Sequence, residues 1–268
     1  MTSTDAQFAG LLPQHYERHL VPLLFEPYAR DLVARAVDLA PGRLLEIAAG
    51  TGIVTRHLVM ALPSAHIVAT DLNPGMLALG RAAIDSPRLA WQVADAMHLP
   101  FGDAGFDLVV CQFGVMFFPD KPAAFAEARR VLAPGGRLLF NVWDALAANA
   151  FAREVQAAME ELFPADPPGF LARTPHGYHD QDAIVRDLAA AGFTSPPDIE
   201  TVALQGRAAD AASVAAGLCE GTPLRLEIAA RGGDPAAATA FAAARLARRF
   251  GDGPLAGAMR AHVISVAA

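Results

Sequence analysis

Cysteine is scarce: the 268 residues hold two, Cys111 and Cys219. Two are too few for a disulfide scaffold. One lies in a strand pattern and the other in a helical one, so a reducing cytoplasm is the expected compartment. Positive charge is also short, with 21 Lys and Arg against 28 Asp and Glu and a formal charge of −7. Nucleic-acid phosphates call for a basic face, so no nucleic-acid partner is expected. No uninterrupted apolar run is long enough to span a bilayer, and no membrane association is expected. The opening MTSTDAQFAG has neither a basic region nor an apolar core, which argues against a secretory signal. What the chain does have is apolar surface. It is 53% hydrophobic, much of it alanine, enough to build one large domain or a domain with a cap.

The first 40 residues read as helical, because LVPLLFEPYARDLVARAVDL repeats apolar residues at three- and four-residue spacing. Pro41-Gly42 breaks that pattern. From residue 43 to about 144, strands and helices alternate. Strands are predicted at 43–49, 66–72, 89–95, 106–112 and 137–143, each a nearly continuous apolar run. Such runs suit a parallel sheet covered on both faces. Asn73 ahead of Pro74 and Asp120 ahead of Pro122 read as helix caps. Pro134-Gly135-Gly136 ends a helix and feeds the fifth strand. Beyond Trp143 a helix over 149–163, a loop at ADPPGF and a helix over 181–191 with Asp180 as N-cap are expected. DIETVAL (198–204) reads as a sixth strand. Residues 208–250 read as alanine-rich helices broken at Gly221-Thr222-Pro223 and Gly232-Gly233, and AHVISVAA as the last strand. The alternation predicts an α/β protein with a doubly wound, mostly parallel sheet.

The chemistry concentrates in LLEIAAGTGIVT, Leu44 to Thr55. It reads as strand, glycine turn and helix start. Gly50 and Gly52 lack a Cβ, so the backbone there can pass close to a ligand. Glu46 puts a carboxylate near the strand's carboxyl end, where open α/β sheets bind ligands. The next strand, HIVATDL, ends in Asp71, about 20 residues on, where a ribose-binding acid sits. A dinucleotide site would want a third small residue where Thr55 stands, and would leave Glu46 repelling a pyrophosphate.

These residues resemble the class I S-adenosylmethionine-dependent methyltransferases, above all the small-molecule branch that includes quinone-biosynthesis enzymes. The family's acid-x-Gly-x-Gly-x-Gly motif is matched by Glu46, Ala48, Gly50 and Gly52, with alanine in place of the first glycine. VADAMHLPF (93–101), FDLVVCQFGVMFFPD (106–120) and RVLAPGGRLLFNVWD (130–144) match later segments in order, and the resemblance runs from about residue 40 to 205. It implies a seven-stranded Rossmann-like methyltransferase fold and S-adenosyl-L-methionine as cofactor. Asp71, with Leu72 beside it, would hold the ribose hydroxyls. Asp95 would hold the adenine amine, with Ala96 and Met97 lining the ring. Glu46 would either contact the cofactor or orient the glycine loop, and Gln112 would face the site. The amino-terminal helices, carrying Tyr16 and Tyr28, would fold over the cofactor.

Plainer readings stay open for several of these. Asp71 is also placed to cap the next helix, and Asp95 to make a surface turn. Cys111 reads as packing rather than as a nucleophile. His57 is expected to face solvent or the sheet. Phe113, Met116, Phe117 and Phe118 form core or one wall of an apolar pocket. PHGYHD (175–180) gathers His176, Tyr178 and His179, fewer ligands than zinc sites use, so no metal is expected. His179 is the first candidate for a general base. The expected division is a helical cap over 1–40, a cofactor core over 41–205 with a cap insertion near 145–180, a substrate cap over 206–255, and a final core strand over 256–268. The expected activity is methyl transfer to oxygen or carbon of a small, partly apolar acceptor, with a homodimer among the expected assemblies. The rivals are a nicotinamide-dependent oxidoreductase and a binder without turnover.

Overall fold

The computed structural model describes residues 12–268. The reading of the opening ten residues lies outside them. Among the described residues, seven strands form one sheet: β1 (Arg43–Ile47), β2 (His66–Asp71), β3 (Leu89–Val93), β4 (Phe106–Gln112), β5 (Leu132–Trp143), β6 (Asp198–Ala208) and β7 (Leu255–Ala267). Their order is β3-β2-β1-β4-β5-β7-β6. The pairs β1–β2, β2–β3, β1–β4 and β4–β5 are all parallel. The chain therefore winds outward from β1 to β3, then crosses back to β4. That reversal makes the carboxyl ends of β1 and β4 the place where this architecture takes a ligand. The central strands β1 and β4 are buried and apolar on both faces. Leu44, Leu45, Ile47, Leu108, Val109 and Val110 are all at most 4% exposed.

Three local results differ from the sequence reading. The first strand stops at Ile47, because Ala48 turns into left-handed backbone at φ 55°. The fifth starts at Leu132, not 137. Its register with β4 jumps from Phe106–Leu132 to Leu108–Arg137, so the Pro-Gly-Gly segment bulges out of the ladder. Asn73 precedes the helix Pro74–Ala83, but its side chain caps nothing. Its backbone N–H and Nδ2 both donate to Asp71 Oδ1, at 2.8 and 3.3 Å, since an aspartate two residues upstream closes the turn first. The caps expected at Asp120 and Asp180 are present, accepting from Ala123 N and Asp182 N.

The chain divides into two compact units. The sheet unit comprises Tyr28–Val142, Tyr178–Val202 and Ala261–Ala268. The helical unit comprises the described residues up to Pro27, Trp143–Gly177 and Ala203–Arg260. In the helical unit, the helices Ala150–Leu162, Ala211–Glu220 and Pro235–Phe250 pack on one another. Buried Ala211, Ala215, Ala238 and Ala242 supply small side chains for that packing. Glu227 fastens another corner of this unit, accepting from Gly169 N at 2.8 Å and from Arg173 at 2.6 Å. Among the described residues no helix is long and apolar enough to cross a membrane.

In the sheet unit Trp91 of β3 lies flush against the glycine turn. A Cβ at Gly80 would sit 2.6 Å from Trp91 Cη2 and 3.1 Å from the Thr51 carbonyl oxygen. Gly80→Ala is therefore expected to lose about 1–3 kcal/mol by overpacking. Urea denaturation should show a lower midpoint at unchanged slope. A parental midpoint would mean the indole moves aside at no cost.

Candidate active site

The glycine turn is held by the end of the neighbouring strand. Asp71 closes β2 and is 8% exposed. Its Oδ2 accepts the Gly50 N–H at 2.9 Å, while its Oδ1 accepts from Asn73. The turn itself uses Ala48, Gly50 and Gly52 at φ 55°, 59° and 87°. It returns to helical backbone at Ile53. Ala49 N donates to the Thr70 carbonyl at 2.8 Å, so two hydrogen bonds from β2 fix the loop. An ionised carboxylate can accept about four hydrogen bonds. Asp71 accepts from the Gly50 N–H and from the backbone and side chain of Asn73, with the Leu72 N–H also turned toward it. Burial raises its pKa, and the Asn73 and Gly50 N–H groups oppose that rise.

Glu46 lies beneath the same loop, 2% exposed. Its Oε2 accepts from Thr55 Oγ1 at 2.6 Å. Burial, reinforced by the charge of Asp71, pushes its pKa up to about 8, against the Thr55 hydrogen bond. At neutral pH it is mostly a neutral acid that ties the strand to the first turn of the helix Ile53–Ala61. Its present contact is the one the loop-orienting reading calls for. Cys111 is pushed up to about 12 by burial and is a packing residue in this setting.

Past β3, Asp95 shapes a turn. Its Oδ1 accepts from Met97 N at 2.9 Å, and its carbonyl accepts from His98 N at 3.0 Å. Ala96 is buried and Met97 half-buried. The surface-turn reading of Asp95 thus describes its present contacts, and a second carboxylate oxygen faces the exposed His98 ring at 3.6 Å. Leu72 is 55% exposed and Val93 51%. Val93 is the strand partner of Asp71, so two apolar side chains flank the acid at the sheet's carboxyl edge. Gln112 ends β4 beside Asn141 of β5. Tyr28 is fully buried, donating to the Val202 carbonyl at 3.1 Å with its ring edge-on to Phe113. Tyr16, in the helical unit, stacks on Phe25.

Within the run Pro175–Asp180 the side chains have different partners. His176 belongs to the helical unit, is buried, and its Nδ1 lies 2.9 Å from the Asp144 carbonyl oxygen. Tyr178 belongs to the sheet unit, where its hydroxyl donates to Asp187 at 2.6 Å and its ring lies under Lys121 Nζ. His179 is exposed. Sequence reasoning missed Val93, Thr51 and Asn141. Thr51 is 2% exposed, and its hydroxyl has no partner among the described residues. Only its place between two turn glycines hinted at a role.

Taken together, these residues of the sheet unit offer acceptors and close backbone rather than cations. S-adenosylmethionine fits that donor set: oxygen acceptors at Asp71 and Asp95, an apolar flank at Leu72 and Val93, and a loop of left-handed residues with a buried, unpartnered hydroxyl at Thr51. The family profile described as a methyltransferase domain matches residues 45–140. A demethylmenaquinone methyltransferase of Thermus thermophilus is 34% identical over 178 residues, which are 62% of this chain and 81% of that one. A malonyl-[acyl-carrier protein] O-methyltransferase of Geobacter sulfurreducens is 38% identical over 162 residues, 60% of this chain and 58% of that one. A phosphoethanolamine N-methyltransferase of Haemonchus contortus, solved with S-adenosyl-L-methionine, superposes with a TM-score of 0.60 at 16% identity, over 99% of this chain and 60% of that one. The chain belongs to the class I S-adenosylmethionine-dependent methyltransferase family. It is an enzyme of that class with S-adenosylmethionine as cofactor, and the nicotinamide reading falls away.

Two outcomes are expected here. Asp71→Ala should weaken S-adenosylmethionine binding by about 1.5–3 kcal/mol, the range for a hydrogen bond to a charged group. Calorimetry on the folded variant checks this, and unchanged affinity would remove Asp71 from the site. The second outcome follows from Glu46. Its folded pKa lies above the ordinary 4.5, so its contribution to stability is complete below that pH and is lost as pH rises toward about 8. Glu46→Gln keeps the size and an acceptor for Thr55 but does not titrate. Across that window, melting temperatures of the parent should fall relative to the variant. Parallel curves would show that burial does not raise this carboxyl.

Proposed function

We propose that this enzyme methylates oxygen or carbon of a small, partly apolar acceptor, with a hydroxylated or enolic ring of the quinol type as the first candidate. The observation that carries the reading is the loop of Glu46, Ala48, Gly50 and Gly52 held by Asp71, in a chain whose long-matching relative is named for demethylmenaquinone. The relative named for malonyl-[acyl-carrier protein] supports oxygen as the alternative methylated atom. When bound, S-adenosylmethionine supplies a methyl group already activated on a sulfonium. The protein's own work is then to seat the ligand, align the acceptor and exclude water, effects that can supply several kcal/mol. In that role Asp71 accepts from the ribose hydroxyls and holds Gly50, Asp95 with Ala96 and Met97 meets the adenine, and Leu72 and Gln112 line the remainder. The acceptor atom gains the methyl group and gives up a proton to a base or to water.

For a weakly acidic hydroxyl, His179 is the first candidate for a base. Its exposure supports instead a reaction driven by positioning, with the proton leaving to solvent. A positioned base is worth about 10²–10⁴-fold, so His179→Ala separates the two. The expected result is a single-turnover rate close to the parent's at every pH tested. A loss of that size, with cofactor affinity intact, would make His179 the base.

The helical stretches at 1–40, 145–180 and 206–255 are proposed to carry acceptor choice. In support, the family profile covers none of them. Net charge of −7 supports an acceptor other than nucleic acid, and two buried free cysteines support a cytoplasmic setting. A homodimer is proposed and is read directly by light scattering. The activity test is formation of S-adenosylhomocysteine with a panel of reduced naphthoquinone, catechol and malonyl thioester. Turnover with the quinol or catechol is expected. Tight cofactor binding with no turnover on the whole panel would favour a binder that has lost catalysis.

A further inference from the structure

Two non-glycine residues at the carboxyl edge of the sheet hold left-handed backbone, Ala48 after β1 at φ 55° and Phe113 after β4 at φ 51°. For a bulky side chain that conformation is an outlier that persists only when surroundings impose it. At Phe113 the imposing group is Asn141 of β5. The Phe113 N–H is shared between Asn141 Oδ1 at 2.9 Å and the Asn141 carbonyl oxygen at 3.2 Å. Asn141 is fully buried, and its Nδ2 has no partner among the described residues. Turning the amide over would set two donors face to face, so the N–H of Phe113 dictates the orientation. A buried donor left unpaired is costly, and an aliphatic residue would avoid it.

The next residue shows what the arrangement accomplishes. Gly114 follows Phe113 and lies against the glycine turn. A Cβ there would sit 2.5 Å from Ala48 Cβ and 2.8 Å from Cys111 Sγ. The left-handed step at Phe113 is what delivers Gly114 to that seat. The chain of contacts therefore runs from Asn141 through Phe113 and Gly114 to Ala48, and from there to Gly50 and Asp71. We propose that Asn141 is a positioning residue for the cofactor site: without touching the cofactor, its side-chain carbonyl locks Phe113 left-handed and so holds the glycine turn in its binding shape.

The test is a double-mutant cycle read by calorimetric affinity for S-adenosylhomocysteine. Asn141→Leu removes the lock, and affinity should fall about tenfold, a coupling usual within one network. Asn141→Asp keeps an oxygen for the Phe113 N–H and should bind within about threefold of the parent. Glycine adopts positive φ without help. In a Phe113→Gly background, adding Asn141→Leu should therefore cost no further affinity. Circular dichroism and melting temperature are recorded for each variant, and Asn141→Ser, too short to reach Phe113, repeats the cycle should the leucine variant not fold. The proposal is overturned by parental affinity in the folded leucine or serine variant, or by equal loss in the aspartate variant. It is equally overturned if the loss persists in the Phe113→Gly background, because a residue that merely fills the core would ignore the residue at 113.

Discussion

The hydrogen bond from the Gly50 amide to the Asp71 carboxylate is the constraint around which the sheet unit is arranged. It joins the turn after β1 to the end of β2, across 21 residues of sequence. A turn of left-handed residues has no ladder partners of its own, and an unpaired buried amide is expensive. One buried carboxylate answers that amide and, through Asn73, starts the following helix. Desolvation makes the charge of Asp71 costly, which its N–H donors offset. The same acid therefore both shapes the loop and closes the second strand.

Around that bond the site is assembled under strain. Ala48 and Phe113 sit in backbone that favours glycine, while Gly52 and Gly80 lack side chains where Trp91 needs the room. Packing and a few buried hydrogen bonds over-determine these conformations, the usual condition for a preorganised site. Two acids lie within this shell, and their environments separate them. Asp71 keeps hydrogen-bonded N–H groups around its charge, whereas Glu46 has the Thr55 hydroxyl and its pKa rises to about 8. Burial pushes both acids up, and the number of N–H groups turned toward each carboxylate is what sets them apart.

The alternation of strands and helices was readable because both faces of a parallel sheet are covered. Continuous apolar runs such as Phe106–Gln112 then mark strands almost residue for residue. Helix starts at Asp120 and Asp180 were readable because a cap is a local hydrogen bond within three residues. Asn73 misled for the same reason: two local partners competed, and Asp71 took its N–H groups. The early start of β5 escaped notice because Pro134, Gly135 and Gly136 look like a break, and only pairing with β4 shows that the strand resumes across a bulge.

The order of elements, the glycine turn and an acid at the end of the second strand were determined by the sequence itself, because periodicity, glycine's freedom and the local sterics of turns act over a few residues. What tertiary structure decided is which lone pairs are engaged and which acids are charged. Asn141 meets the Phe113 amide 28 residues away, Trp91 closes on Gly80, and Glu46 is raised by burial. None of these follows from spacing, because desolvation and close packing depend on which segments the sheet brings together.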